Sequence, residues 1–215
     1  MPTTKLILIR HGETAWNAER RLQGHIDIAL NDEGRRQAEA LADALAGEPI
    51  DAIVSSDLAR AAHTADAVAR VHGLHASRDA ALRERCYGAF EGLLYAEIAL
   101  RFPADFTDWQ ARRSDARMPD GARVAESFRE FYTRCTEAIT ALASAHAGRT
   151  LVLVAHGGVL ECAYRAALGL ALDTPRDFPV MNASINRFTL QGGQLALSSW
   201  GEVAHLAPRV LDELN

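Results

Sequence analysis

Two stretches of this chain are apolar at almost every position. Leu6-Ile7-Leu8-Ile9 lies near its start, and Leu151-Val152-Leu153-Val154-Ala155 follows far downstream. A strand that alternates apolar and polar residues can face water on one side, whereas one that never alternates must be covered on both. The two runs therefore predict central strands of an α/β fold, a mostly parallel sheet sandwiched between helices. Each run stops abruptly, at Arg10-His11-Gly12 and at His156-Gly157-Gly158. Sheets of this kind bind ligands at the carboxyl ends of their strands, so these polar endings are the first candidates for a site. Gly12 would allow a sharp exit from its strand.

The rest of the chain fits a repeated strand-loop-helix rhythm. Asn31 can cap a helix that carries Asp32 and Glu33 in its first turn, buries Ala38, Leu41, Ala42 and Leu45, and closes at Gly47. Residues 50–55 read as a second strand. Asp57 can cap the next helix, with Leu58, Ala61, Ala65 and Val68 on its buried stripe and Arg60 in its first turn. A short strand is expected within residues 80–85. From 87 to 121 the pattern weakens around Pro103 and Pro119. We read a helical, lid-like insertion near residues 93–123, packed over the sheet's edge within a single domain spanning 1–215. A long helix burying Phe128, Phe131, Cys135 and Ile139 follows, then the second apolar strand, another helix, and a terminal hairpin about Gly192-Gly193.

This rhythm delivers Arg10 and His11 from one strand end, Arg60 from a second and His156 from a third. Arginine presents a rigid fork of donors suited to phosphate, and a neutral imidazole beside it can act as a nucleophile. Residues 16–24 would supply a polar, phosphate-facing loop, and Gly157 and Gly158 would let the backbone approach a ligand closely. The formal charge of −5 argues against a nucleic-acid binder or an anionic-membrane binder, both of which need a basic face. No apolar run approaches the ~20 residues of a membrane span. Cys86, Cys135 and Cys162 are odd in number and widely spaced, which favours free thiols in a cytoplasmic protein. The first strand begins too early to leave room for a secretory leader. His72 and His75 lack clustered companions, so no metal site is expected.

With these residues assembled, the chain resembles the histidine phosphatase superfamily, which has the phosphoglycerate mutase-like three-layer fold. The resemblance rests on Leu8-Ile9-Arg10-His11-Gly12-Glu13-Thr14-Ala15-Trp16-Asn17, on Leu22-Gln23-Gly24-His25-Ile26-Asp27, and on Ser55-Ser56-Asp57-Leu58-Ala59-Arg60-Ala61 with Thr64-Ala65. It continues in Leu82-Arg83-Glu84-Arg85-Cys86-Tyr87-Gly88 and Val154-Ala155-His156-Gly157-Gly158. It implies that His11 is the phosphorylated nucleophile and that Arg10, Arg60 and His156 hold the phosphoryl oxygens. Glu84 would then donate a proton to the leaving group. Asn17, Gln23, Gly24 and Gly157 would line the phosphate or substrate.

The implied activity is hydrolysis of a small phosphorylated metabolite without a cofactor. The alternative is phosphoglycerate isomerisation primed by 2,3-bisphosphoglycerate, and a more remote one is a non-catalytic module that binds phosphorylated ligands. Hydrolysis is favoured because the segment between Glu84 and His156 is short beside a mutase's lid, and because Asn182-Ala183-Ser184-Ile185 resembles the phosphatase branch. Against it, Arg112-Arg113 resembles a mutase's paired arginines, although a solvated helix end is the favoured account of that pair, and Glu84-Arg85-Cys86-Tyr87-Gly88 is close to the mutase form. Two departures touch the substrate loops. Ala29 stands where the pattern has proline, and residues 119–127 carry extra residues before Glu126-Ser127. The oligomeric state is open, a homodimer being compatible with the sequence.

Overall fold

A computed structural model describes residues 2–206. Its elements run β1 (Thr4–Arg10), α1 (Ala15–Ala18), α2 (Asp32–Leu45), β2 (Ala52–Ser55), α3 (Ala59–His72), β3 (Ala76–Arg78), α4 (Tyr95–Arg101), α5 (Pro103–Gln110), α6 (Phe128–Ala145), β4 (Thr150–Ala155), α7 (Gly157–Leu168), β5 (Ile185–Gln191) and β6 (Gln194–Glu202). The sheet order is β3-β2-β4-β1-β5-β6. The first four strands of that order are parallel, and β5 and β6 extend the sheet antiparallel beyond β1.

The unbroken apolar runs follow from this order, since β1 and β4 are adjacent and central. Leu6 and Leu8 point into a core shared with Phe131 and Cys135 of α6 and Leu160 and Ala163 of α7. Ile7 and Ile9 point the other way, onto Leu41 and Leu45 of α2 and Ala65 and Val68 of α3. Leu151 and Leu153 join the first core, and Val152 and Val154 the second. Burying each such side chain contributes about 1.5–3 kcal/mol as an upper bound, so both faces of the central pair must stay apolar.

Four local expectations are corrected. The strand expected within 80–85 lies earlier, at Ala76–Arg78 beside β2. Residues Ala80–Leu82 instead form a 3₁₀ turn, because the Asp79 carboxylate accepts the Ala81 N–H at 2.8 Å. Asp57 does not cap α3. Its carboxylate is taken by the guanidinium fork of Arg83, at 2.7 and 2.6 Å, a charge-assisted pair stronger than one backbone bond. Asp27, distant in sequence, accepts the Ala59 N–H at the start of α3 instead. The third correction is that α2 ends on Ala46 before reaching Gly47. Finally, Gly12 is absent from the left-handed backbone positions. It is needed for close approach, because a Cβ there would lie 2.5 Å from the Gly34 carbonyl oxygen in the first turn of α2.

The segment carrying α4 and α5 contributes to an apolar cluster of its own. Phe90, Ile98, Met118 and Ala125 gather with Leu22 in a third cluster, on which Tyr95 and Trp109 stack with centroids 5.6 Å apart. None of the helices among the described residues is long and apolar enough to cross a membrane.

Candidate active site

The site grows from the register of β1 and β4. Arg10 pairs with Ala155, so the next residue on each strand, His11 and His156, emerges at the same level. The His11 N–H bonds back to the Ala155 carbonyl at 3.0 Å. The two imidazoles face each other edge-on, with centroids 5.2 Å apart, and both are buried. Burial, then the nearby Arg60 and Arg10 charges, holds His11 well below its ordinary value; burial and Arg60 do the same to His156. Both rings are therefore neutral near pH 7.

The tautomer of His11 follows from its partner. Its Nδ1 lies 2.7 Å from the Gly12 carbonyl oxygen, which can only accept, so Nδ1 carries the proton and Nε2 the lone pair. The Gly12 N–H donates to Thr64 Oγ1 at 3.1 Å, and that hydroxyl donates to the Arg60 carbonyl at 2.8 Å. Neither ring nitrogen of His156 has a hydrogen-bond partner among the described residues. Leaving buried polar atoms unmatched is costly, which suits a ring whose partner is a ligand.

Two buried guanidinium groups stand beside the rings. Arg10 Nη1 donates to the Val180 carbonyl at 2.5 Å, while its Nε has no hydrogen-bond partner among the described residues. Arg60 donates to the carbonyls of Gly24 and Ile26 at 2.7 and 3.0 Å. The 16–24 loop is held by its own contacts and by the 92–94 segment, where the Leu22 N–H donates to the Leu93 carbonyl at 3.0 Å and the Gly92 N–H to the Leu22 carbonyl at 2.8 Å. Asn17 closes a capping box with Thr14, and Gln23 Oε1 accepts from Thr14 Oγ1 at 3.0 Å. Gly24 turns with φ +53° where a Cβ would collide with Glu91. The structure thus gives Asn17, Gln23 and Gly24 framing contacts, while Gly157 is a buried residue in the first turn of α7.

Glu84 joins the group from a loop without regular structure. Its carboxylate accepts the Arg85 N–H at 2.7 Å and the Gly158 N–H at 3.0 Å, two residues beyond His156. The neighbouring guanidinium groups have partners of their own: Arg83 serves Asp57, and Arg85 reaches the Glu126 and Ala116 carbonyls. Gly158 is required here, because a Cβ would sit 2.3 Å from Glu84 Oε1. A cavity of about 90 Å³ opens on this side, lined in part by Tyr87, Trp109, Arg112, Phe131, Gly158 and Glu161.

The arginine pair splits. Arg113 is exposed and pairs with Asp108 at 3.3 Å, as a solvated helix end would. Arg112 is drawn inward to Glu161 of α7 and lies over the Phe128 ring. Cys86 is buried, and burial pushes its thiol up, away from reactivity. Among the described residues no group of three or more His, Cys, Asp or Glu is arranged to hold a metal ion.

Sequence reasoning missed the residues that hold this geometry through backbone. Asn182 Nδ2 donates to the His11 carbonyl at 2.9 Å, and the Ala183 N–H, from a residue at φ +53°, reaches the Arg10 carbonyl at 3.0 Å. Arg134 of α6 donates to the carbonyls of Ala81, Arg83 and Glu84 and pairs with Glu126. Asn182 and Ala183 lie in a segment already singled out for its resemblance, but their targets are carbonyls, which any residue offers, so the contacts themselves could not be read.

Residues 6–203 match the model of the histidine phosphatase superfamily, branch 1. Phosphoglycerate mutase-like protein 4 of Arabidopsis thaliana is 39% identical over 94% of this chain and 86% of its own length. The metal-independent phosphoserine phosphatase of the same plant is 35% identical over 95% of this chain and 84% of its own. Among solved structures, Bacillus stearothermophilus YhfR superimposes with a TM-score of 0.86 at 34% identity, covering 94% of this chain and 98% of that one.

Proposed function

The chain belongs to the histidine phosphatase superfamily, and from that footing we propose that it hydrolyses the phosphomonoester of a small metabolite through a phosphohistidine formed on His11. The observation that carries this reading is the His11 tautomer. Nδ1–H is fixed on the Gly12 carbonyl, leaving the Nε2 lone pair beside Arg10, Arg60 and His156. Attack by Nε2 on phosphorus splits hydrolysis into two displacements.

Arg10, Arg60 and His156 would donate to the equatorial oxygens, where charge is spread in the transition state. That donor set supplies the charge without a metal ion. Glu84 would protonate the departing alkoxide, and Gly158 N–H keeps its carboxylate on the leaving-group side. Asn17, Gln23, Gly24 and Gly157 frame the phosphate loop. The α4–α5 segment covers the leaving-group cavity as a lid, and the three free cysteines suit the reducing cytoplasm.

Hydrolysis is preferred over primed isomerisation because both arginines, although they line the cavity, are already paired with carboxylates, Arg112 with Glu161 and Arg113 with Asp108. A mutase must hold its intermediate, and such a pair would help to do so. The test is incubation with 3-phosphoglycerate and catalytic 2,3-bisphosphoglycerate, with 2-phosphoglycerate and free phosphate followed together. Phosphate release is expected to dominate, with p-nitrophenyl phosphate also turned over. Rapid, primer-dependent interconversion with little free phosphate would reverse the assignment.

A further inference from the structure

We propose that His25 is a positioning residue for the proton donor, and that Gly24-His25-Ile26 ties the acid to the phosphate-binding arginine. The inference rests on the reading of Glu84 as the acid. The Gly24 and Ile26 carbonyls hold the two terminal nitrogens of Arg60 at 2.7 and 3.0 Å. The residue between them turns the opposite way: His25 Nε2 lies 2.7 Å from the Glu84 carbonyl oxygen. A carbonyl only accepts, so Nε2 donates, and three consecutive residues grip both functional groups.

The grip is itself held. The His25 N–H donates to Glu91 Oε1 at 2.9 Å, and the same oxygen accepts the Tyr87 N–H at 3.1 Å. Residues 83–87 form no strand or helix; apart from main-chain bonds such as Arg83 N–H to the Ala80 carbonyl at 3.1 Å and Glu126 N–H to the Cys86 carbonyl at 2.9 Å, side chains fix the backbone that carries Glu84. Arg134 contributes a second donor to the Glu84 carbonyl at 3.2 Å and binds Ala81 and Arg83 as well. Arg134 stands on α6 and fastens the loop to the scaffold. His25 fastens it to Arg60, hence to the phosphorus. In an in-line displacement the leaving oxygen lies opposite His11 Nε2, so the acid must keep a set distance from the group that Arg60 holds. A misplacement of about 1 Å costs on the order of 10²-fold.

The experiment uses His25→Ala and His25→Gln, each in the wild-type and the Glu84→Gln background. The readout is kcat/KM for 2-glycerol phosphate and for p-nitrophenyl phosphate, whose leaving group needs little protonation. His25→Ala should lose roughly 10–10²-fold on the alkyl ester and much less on the aryl ester. His25→Gln, which keeps an N–H at similar reach, should recover most of the loss. In Glu84→Gln, already selectively impaired on the alkyl ester, removing His25 should cost little more. Should His25→Ala be unstable, His25→Asn, whose shorter amide cannot reach, is expected to behave the same way. Equal losses on both esters, or a loss that adds undiminished to that of Glu84→Gln, would overturn the positioning role. Equal losses on both esters in Glu84→Gln itself would instead remove Glu84 as the acid, and this inference with it.

Discussion

The ring centroids of His11 and His156 stand 5.2 Å apart at an interplanar angle of 63°, each ring one residue beyond a paired position of neighbouring parallel strands. No flexible loop intervenes between either ring and the central sheet, so their spacing is set by strand pairing. In the proposed roles of nucleophile and phosphate ligand, rings held in this way would need little reorganisation during reaction.

The nucleophile assignment predicts a covalent intermediate. Brief incubation with a labelled phosphomonoester, followed by denaturation at alkaline pH, should leave acid-labile label on the wild type and none on His11→Ala. Retention of the same label by His11→Ala would place the phosphoryl group on another residue.

The buried rings predict a pH-dependent stability. His11 and His156 stay neutral in the fold, held below the ordinary 6.5 by burial and by Arg60, whereas in the unfolded chain both titrate near it. Below that value the unfolded chain takes up protons that the fold refuses. Stability is therefore fully present above pH 6.5 and is lost as pH falls, by up to about 1.4 kcal/mol per pH unit for each ring. Melting temperatures measured from pH 8 to pH 5 should decline, and His156→Gln should decline less steeply. Identical slopes would mean that His156 is not neutral in the fold.

Gly158→Ala should damage both stability and chemistry. The added methyl would meet Glu84 Oε1 at 2.3 Å and Phe131 at 2.8 Å, a crowding worth about 1–3 kcal/mol. Because the carboxylate must move, kcat/KM for alkyl phosphates should fall further than for p-nitrophenyl phosphate. Unchanged leaving-group dependence would show that the contact is not needed for proton donation.

Activity should survive thorough chelation, since Arg10 and Arg60 can supply the positive charge that a metal ion would otherwise provide. Inactivation by a chelator, with rescue by a divalent ion, would contradict the proposed donor set.

Much of this was legible in the chain because sheets enforce simple rules. A strand covered on both faces cannot alternate, so Leu6–Ile9 and Leu151–Ala155 announced the central pair, and the polar residues ending them announced His11 and His156. Arg60 was legible because the first turn of α3 follows a strand end. What escaped reading was decided by competition between distant groups. Asp57 has the sequence of a helix cap, yet the Arg83 fork outbids the backbone N–H. Arg112 and Arg113 are adjacent and alike, but only Arg112 meets a buried carboxylate. Asn182, Arg134 and His25 act on main-chain carbonyls, for which a sequence offers no complementary letter.

The third apolar cluster, built from Leu22, Phe90, Ile98, Met118 and Ala125, shares no member with the two cores that cover the sheet. Descent with modification can therefore work on the two parts at different rates. Under the proposed function, substitutions around α4 and α5 would recast which alcohol departs while the strands keep the same phosphorus chemistry. For an engineer, the α4–α5 segment is the part to graft or randomise, and His25 is the seam that any graft must respect.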